Sequence, residues 1–419
     1  MNRVLRDSSR RVFGSGVLLA AVCAGLSTGC TRSSDGPTFG EDLDFLKKHT
    51  DVQVIQSADG QAMAAVVPSM QGRLMTATPS GLKGPSTGWI NHDLIASGEE
   101  RKHIHAYGGA ERFWLGPEGG QFSIYFPPGA PFEFEHWQTP AAIDTMAYGV
   151  VEQEPHRIVF QQDFSLINYA GTEFQVRVDR EVRILEADEV EGVLGQAIDP
   201  SLAMVAVESV NTITNIGEQA WDRETGALSI WMLAMLNPSD DTVMVIPYRE
   251  GPESELGPIV NDAYFGAVPP ERLVARDGLI FYNGDGNERG KIGIGPARAL
   301  PLSGSYAPSQ GMVTLVHFDP PDPMVSDYVN SQWKIQEDPF AGDVVNAYND
   351  GPPAPGVAQL GPFYELETSS PAAFLAPGES LTHTHRTMHF TGAPEALDAL
   401  LQATLNVSAA ELETVFAAE

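Results

Sequence analysis

From about Val52 onward, short runs of the chain alternate apolar and polar residues with a period of two, and turn residues break the runs apart. That pattern predicts strands. "EFQVRVDREVRIL" is the clearest case: Phe174, Val176, Val178, Val182 and Ile184 fall on one face, while Arg177, Asp179 and Arg183 fall on the other. Such a segment reads as a half-buried strand of an antiparallel sheet. "HRIVFQQDFSL", "DTVMVIPY" and "MVTLVHF" are further strand candidates, and turn chemistry is dense in "YNGDGNERGK" and "YNDGPPAPG". Helical spacing is mostly confined to the end, where "PEALDALLQATLNV" begins at a proline and "SAAELETVF" opens with a Ser408 to Glu411 capping pattern. No repeat of solenoid or propeller length is found. The expected architecture is mainly β: one antiparallel domain over residues 47–392, then a short helical tail over 393–419.

The composition agrees. A chain of 419 residues can bury a large core, and 41 glycines with 31 prolines suit a turn-rich β fold. The formal net charge of −30, from 25 basic against 55 acidic residues, argues against nucleic acid as a partner.

The N-terminus changes the picture. "MNRVLRDSSRR" is a basic leader, "VFGSGVLLAAVCAGL" an apolar stretch too short for a typical spanning helix, and "STGC" closes it at Cys30. This resembles a lipoprotein signal peptide over residues 1–30, with Cys30 as the lipidated residue and Leu26 one place further back than usual. Ser9-Arg10-Arg11-Val12-Phe13 also resembles a twin-arginine export motif, beside the plainer reading of an ordinary basic leader. The expectation is an exported protein held by its lipid to a bacterial membrane, periplasmic or cell-surface, with residues 31–46 as a polar tether. Cys23 lies within the leader, so no disulfide is expected.

Candidate chemistry gathers in two places. "HIHAYGGAERFWLGPEGGQFSIYF" carries His103, His105, Arg112, Trp114 and Glu118. Aromatic faces beside Arg, Glu and His suit a small polar ligand such as a sugar; the alternative is a core Trp114 with an Arg112–Glu118 structural ion pair. "YELETSSPAAFLAPGESLTHTHRTMHF" carries Glu367 and then His383, His385 and His389, which share a face if they lie on one strand. The pairs 103/105 and 383/385, with a carboxylate such as Glu367, also permit a metal site, the one cofactor considered. Gly84-Pro85-Ser86-Thr87-Gly88 matches the letters of a nucleophile elbow but reads as a polar loop. Asn283-Gly284-Asp285-Gly286-Asn287 resembles a calcium loop, yet Glu288 stands where the turn needs glycine.

In order, "AMAAVVPSMQGRLMTA", the Gly-Gly…Arg…Trp segment, "VESVNTITNIGEQAW" and the closing Leu366-Glu367-Thr368, Pro377-Gly378-Glu379 and Phe390 resemble the galactose mutarotase (aldose 1-epimerase) superfamily. The "GGAERFWLGPEGGQFSIYF" block resembles bacterial relatives of unestablished substrate, some of them lipoproteins. The resemblance implies a β-supersandwich with a sugar-sized cleft and Glu367 as general base. It also implies a histidine acid, yet "NTITNIGEQAWDRETGALSIWMLAMLNPS" offers Trp231 and Met232 there and no histidine. Ring opening needs both a base and an acid, so His105 and His385 become the candidate donors, and Arg112, Trp114, Glu118, His103 and His383 the candidate substrate contacts. Three functions stay open: a carbohydrate-processing epimerase-like lipoprotein, a non-catalytic carbohydrate-binding lipoprotein, and a metal-dependent glycan-acting enzyme using the H-x-H pairs.

Overall fold

The computed structural model describes residues 36–320 and 325–416, and within them the alternating runs pair into three antiparallel sheets. A small sheet joins β1 (Gln53–Gln56), β2 (Met63–Val67) and β3 (Arg73–Thr78). A five-stranded sheet runs, in spatial order, β13 (Gly290–Ile294), β16 (Val345–Asn349), β17 (Tyr364–Ser369), β9 (Ser229–Leu233) and β4 (Arg112–Gly116). A ten-stranded sheet begins with β11 (Leu273–Arg276), β12 (Leu279–Asn283), β10 (Val243–Pro247), β14 (Leu302–Ala307) and β15 (Met312–Phe318). It continues through β18 (Ser380–Thr391), β8 (Ala203–Asn215), β7 (Glu173–Ile184), β6 (Arg157–Ile167) and β5 (Gly149–Glu154). The mainly β antiparallel architecture with a helical C-terminus is therefore as expected.

The main core lies between the two larger sheets. Phe113, Leu115, Ile230, Met232 and Leu366 of the five-stranded sheet meet Val176, Val178, Val182, Val207 and Ile213 of the ten-stranded one. The other face of the ten-stranded sheet carries Ala206, Val245, Val313, Met388 and Phe390, which pack under the helices Pro394–Leu405 and Ala409–Thr414 through Leu397, Leu401 and Leu412. The helical tail is thus a lid on a second core.

β7 shows how sequence sets this up. Its apolar face is buried as expected, but the position between Val178 and Val182 on that face is Arg180, which is wholly buried. A buried guanidinium must be paired, and Arg180 binds Glu111 at 2.7 Å, Asn211, and the Gly72 carbonyl at 3.3 Å.

The N-terminal boundary differs from expectation. The polar tether expected over 31–46 ends sooner, because a helix spans Phe39–His49. Thr38 and Glu41 form a reciprocal capping box, and Phe39, Leu43 and Leu46 are buried against Met70, Met75 and Ile90. The expected signal peptide, with Cys23 and Cys30, lies outside the described residues.

Candidate functional site

Side chains alternate across a strand, so each residue of the five-stranded sheet belongs to one of two chemistries. One face is the apolar core. The other carries Arg112, Trp114, Trp231, Glu365, Glu367, Tyr348, Asn346 and Lys291, brought side by side by the register of β4, β9, β17, β16 and β13. Ionisable groups on neighbouring strands then have to satisfy one another.

Glu367 is wholly buried and takes three short contacts. Lys291 Nζ donates to Oε2 at 2.8 Å and lies 3.1 Å from Oε1, and the Trp231 indole N–H donates to Oε2 at 2.8 Å. The Lys291 ammonium also sits 4.5 Å from the Trp231 ring centroid and 5.6 Å from that of Tyr264, in cation–π range. Two strands further on, Arg112 pairs with Glu365 and lies 4.9 Å from the Trp114 ring. Burial pushes the Glu365 carboxyl upward, with Glu367 adding to the effect and Arg112 opposing it.

Beside this row lies a cavity. Its walls are Trp231, Lys291, Tyr264, Asp343 and Asn346, with Ser229, Ser331, Ser369, Gly116 and Val329. About 310 Å³ between and in front of these walls is free of protein atoms, open solvent included, and the centre has room for about one water. Glu367 stands behind the Lys291 and Trp231 that border it. Tyr264 donates its hydroxyl to Asp343 at 2.7 Å, and Asn261 donates to the same oxygen at 2.9 Å. Burial raises the Asp343 carboxyl, against the pull of those two bonds and of Lys291. Glu118 follows Gly116-Pro117, its backbone N–H bound to Ser331 Oγ at 3.1 Å. Burial pushes its carboxyl up as well; Glu367 acts in the same direction, and Lys291 and the Trp333 indole oppose it.

The sequence-predicted residues divide by location. Arg112, Trp114 and Glu367 share the polar sheet face, and Glu118 is close enough to feel Lys291 and Glu367. Arg112 pairs with Glu365, however, and not with Glu118. Trp114 offers no open stacking face: it is buried edge-on to Trp231 and beside Tyr125.

The histidines lie elsewhere. His383, His385 and His389 do share a face of β18, and all are buried, but that face looks into the core. His383 Nε2 and His385 Nδ1 both bind the Thr368 hydroxyl, at 2.8 and 2.9 Å, on the opposite side of β17 from Glu367. Burial holds His385 at about 3, with Arg180 and Arg386 acting in the same direction, so it is a neutral imidazole at physiological pH. Its place beside Thr368, across β17 from Glu367, also keeps it off the sheet face that carries that carboxylate. His105 is spent on Asp144 at 2.8 Å through Nδ1 and on the Arg101 N–H at 2.8 Å through Nε2. His103 donates to the Trp137 carbonyl at 2.6 Å and packs on Phe134. With these nitrogens committed to protein partners, no group of three or more His, Cys, Asp or Glu among the described residues is arranged to hold a metal.

Two side motifs resolve as structure. Ser86 donates to Asp42, whose other carboxylate oxygen holds His92 at 2.7 Å, so the loop anchors the first helix without a serine–histidine contact among those bonds. The Asp285 carboxylate is bound by Arg272 and by Asn349.

Sequence reasoning missed Lys291, Tyr264, Asp343 and Glu365. Two signals were available: Lys291 opens the strand-like run "KIGIG" on the face opposite Ile292 and Ile294, and Glu365 stands two before Glu367 and so on its face.

The chain belongs to a Family of unknown function (DUF6786), whose model matches residues 37–416. No curated protein matches the sequence. Among solved structures it is similar to the Slr1438 protein from Synechocystis sp. PCC 6803, at 12% identity and a TM-score of 0.49, over 82% of this chain and 96% of that one. It is also similar to a galactose mutarotase-like protein from Lactobacillus casei (10% identity, TM-score 0.44, 81% and 99% covered). A galactose mutarotase related enzyme from Lactobacillus acidophilus matches at 8% identity and a TM-score of 0.44, with 81% and 97% covered.

Proposed function

We propose that this member of the DUF6786 family binds a neutral carbohydrate at the cavity beside Lys291. The observation that supports this reading is the wall itself: an ammonium, a phenol, a carboxyl, an amide and three serines converge next to the Trp231 indole. Hydroxyl-rich ligands need such a mixture of donors, acceptors and an aromatic flank. The room left at the centre is too small for a sugar ring, so entry requires the walls to move apart.

The finer reading is aldose epimerase-like turnover with Glu367 as base, the role implied by the resemblance of Leu366-Glu367-Thr368 to the mutarotase motif. It requires Lys291 to yield one carboxylate oxygen to the anomeric hydroxyl. A panel of freshly dissolved α-D-galactose, α-D-glucose and α-D-xylose tests both levels. Thermal stabilisation by a sugar supports binding, and accelerated anomer equilibration, lost in Glu367→Gln, supports turnover. Stabilisation without acceleration would leave a carbohydrate-binding protein; neither effect with any sugar would reject the reading.

The proposal extends to an exported protein held to a bacterial membrane by lipid on Cys30. Labelled palmitate is expected to be incorporated into the intact protein and absent from Cys30→Ser; equal labelling of both would remove the anchor.

A further inference from the structure

Ring opening of a sugar requires a proton for the ring oxygen as well as a base for the anomeric hydroxyl. The histidines that the sequence offered for this are committed elsewhere. The cavity contains another group. Asp343 stands at the entry to β16, and its Oδ2 is fixed by Tyr264 at 2.7 Å and Asn261 at 2.9 Å. Its Oδ1 makes no hydrogen bond among the described residues, although Asp343 borders the cavity. The backbone is cut away to admit this carboxyl: a Cβ on Gly293 would meet Asp343 Oδ2 at 2.1 Å. So one oxygen is clamped by two donors and the other is left for an occupant of the cavity, in a wall shared with the Lys291 that carries Glu367.

We propose that Asp343 is the proton donor of the site, acting on the ring oxygen through Oδ1 while Glu367 takes the proton of the anomeric hydroxyl. This rests on the epimerase-like reading above. As the bond between the anomeric carbon and the ring oxygen breaks, its electron pair stays on that oxygen, which takes the Asp343 proton. The anomeric O–H gives its proton to Glu367, and its oxygen becomes the carbonyl. Closure on the other face of the carbonyl reverses both transfers, so neither carboxyl is consumed. The two carboxyls sit in opposed environments, the arrangement that separates an acid from a base. Glu367 is in direct contact with an ammonium, whereas Asp343 is raised by burial and has only neutral donors in contact. The charged and titratable groups acting on Asp343 are Tyr264 and Lys291, with Glu367 behind Lys291.

Asp343→Asn tests this with little disturbance, because the amide oxygen can still accept from Tyr264 and Asn261. Anomer equilibration of α-D-galactose, α-D-glucose and α-D-xylose is followed by polarimetry across pH, alongside melting temperature. The expected result is a fall in kcat of about 10²–10⁴-fold, with sugar-induced stabilisation retained and the alkaline limb of the wild-type pH–rate profile abolished. Tyr264→Phe provides the second variant. It removes a bond that favours ionised Asp343, so the alkaline limb is expected at higher pH, a movement that a purely structural Asp343 would not give. An Asp343→Asn enzyme within threefold of wild type, or one that loses sugar binding with kcat unchanged, overturns the acid role alone. A wild type that accelerates none of the three sugars overturns the epimerase reading and the acid role with it.

Discussion

Replacing Lys291 by Met removes the cation from Glu367 and leaves a fully buried carboxylate with the Trp231 indole as its remaining donor among the contacts described. Breaking a buried pair from one side costs about 3–5 kcal/mol, because the surviving charge stays desolvated. For a domain of this size the unfolding entropy is about 0.8 kcal/mol per kelvin, so Lys291→Met is expected to lower the melting temperature by about 5 °C at pH 8. Adding Glu367→Gln removes the stranded charge, and the double variant is expected to recover most of the loss. The sign of the pH dependence follows. Without its ammonium the cost is that of a desolvated negative charge, which acid conditions that discharge carboxylates relieve. The Lys291→Met deficit should therefore shrink from pH 8 to pH 5. Melting followed by tryptophan fluorescence on wild type, both single variants and the double variant at those two pH values completes the cycle. Additive losses, or a deficit that does not change with pH, would refute the idea that Lys291 neutralises a buried Glu367.

Two further outcomes follow from the histidine face. Burial holds His389 down to about 3, so the unfolded chain takes up its proton first as pH falls below 6.5. Stability that is present above that value is lost progressively toward pH 3, by about 2 kcal/mol for this one group at pH 5. The difference in unfolding free energy between His389→Leu and wild type is therefore expected to move by about 2 kcal/mol in the variant's favour between pH 8 and pH 5 in urea titrations, and a constant difference would show that His389 is not a buried neutral imidazole. Thr368→Val strips a partner from both His383 and His385, and at about 1–3 kcal/mol per buried group left unsatisfied the melting temperature should fall by several degrees, whereas an unchanged value would argue against the shared hydroxyl.

The periodicity of β7 could be read from the chain, and with it the burial of Val176, Val178 and Val182. The same alternation puts Arg180 on that apolar face, a cation the sequence reading passed over. Its partner Glu111, 69 residues away, could not be read, because pairing depends on how the two sheets stack. The same limit governed the site. Alternation places Glu367 and Thr368 on opposite faces of β17, but sequence does not say which face meets the ten-stranded sheet. His383 and His385 therefore looked like neighbours of Glu367, when they are neighbours of Thr368. Lys291 lies 76 residues before Glu367, and only the order β13–β16–β17 brings them together. The capping box at Thr38 was fully local, yet the polar residues around it concealed a helix whose apolar face is Phe39, Leu43 and Leu46.

The outermost strand of the large sheet has a consequence for crowded solutions. β5 is exposed along its whole length and carries Val150 and Val151, which would invite a strand from another copy. Its ladder to β6 shifts register between Val150 and Glu152, and Glu152 and Glu154 follow. A second β5 laid against it would meet a broken hydrogen-bond ladder and place glutamates near glutamates. Hydrogen bonding to Arg157 holds the Glu152 carboxyl below its usual range, so that deterrent persists into mildly acidic media and fails only when the carboxylates themselves take up protons. Clumping at this margin should therefore be a strong-acid phenomenon.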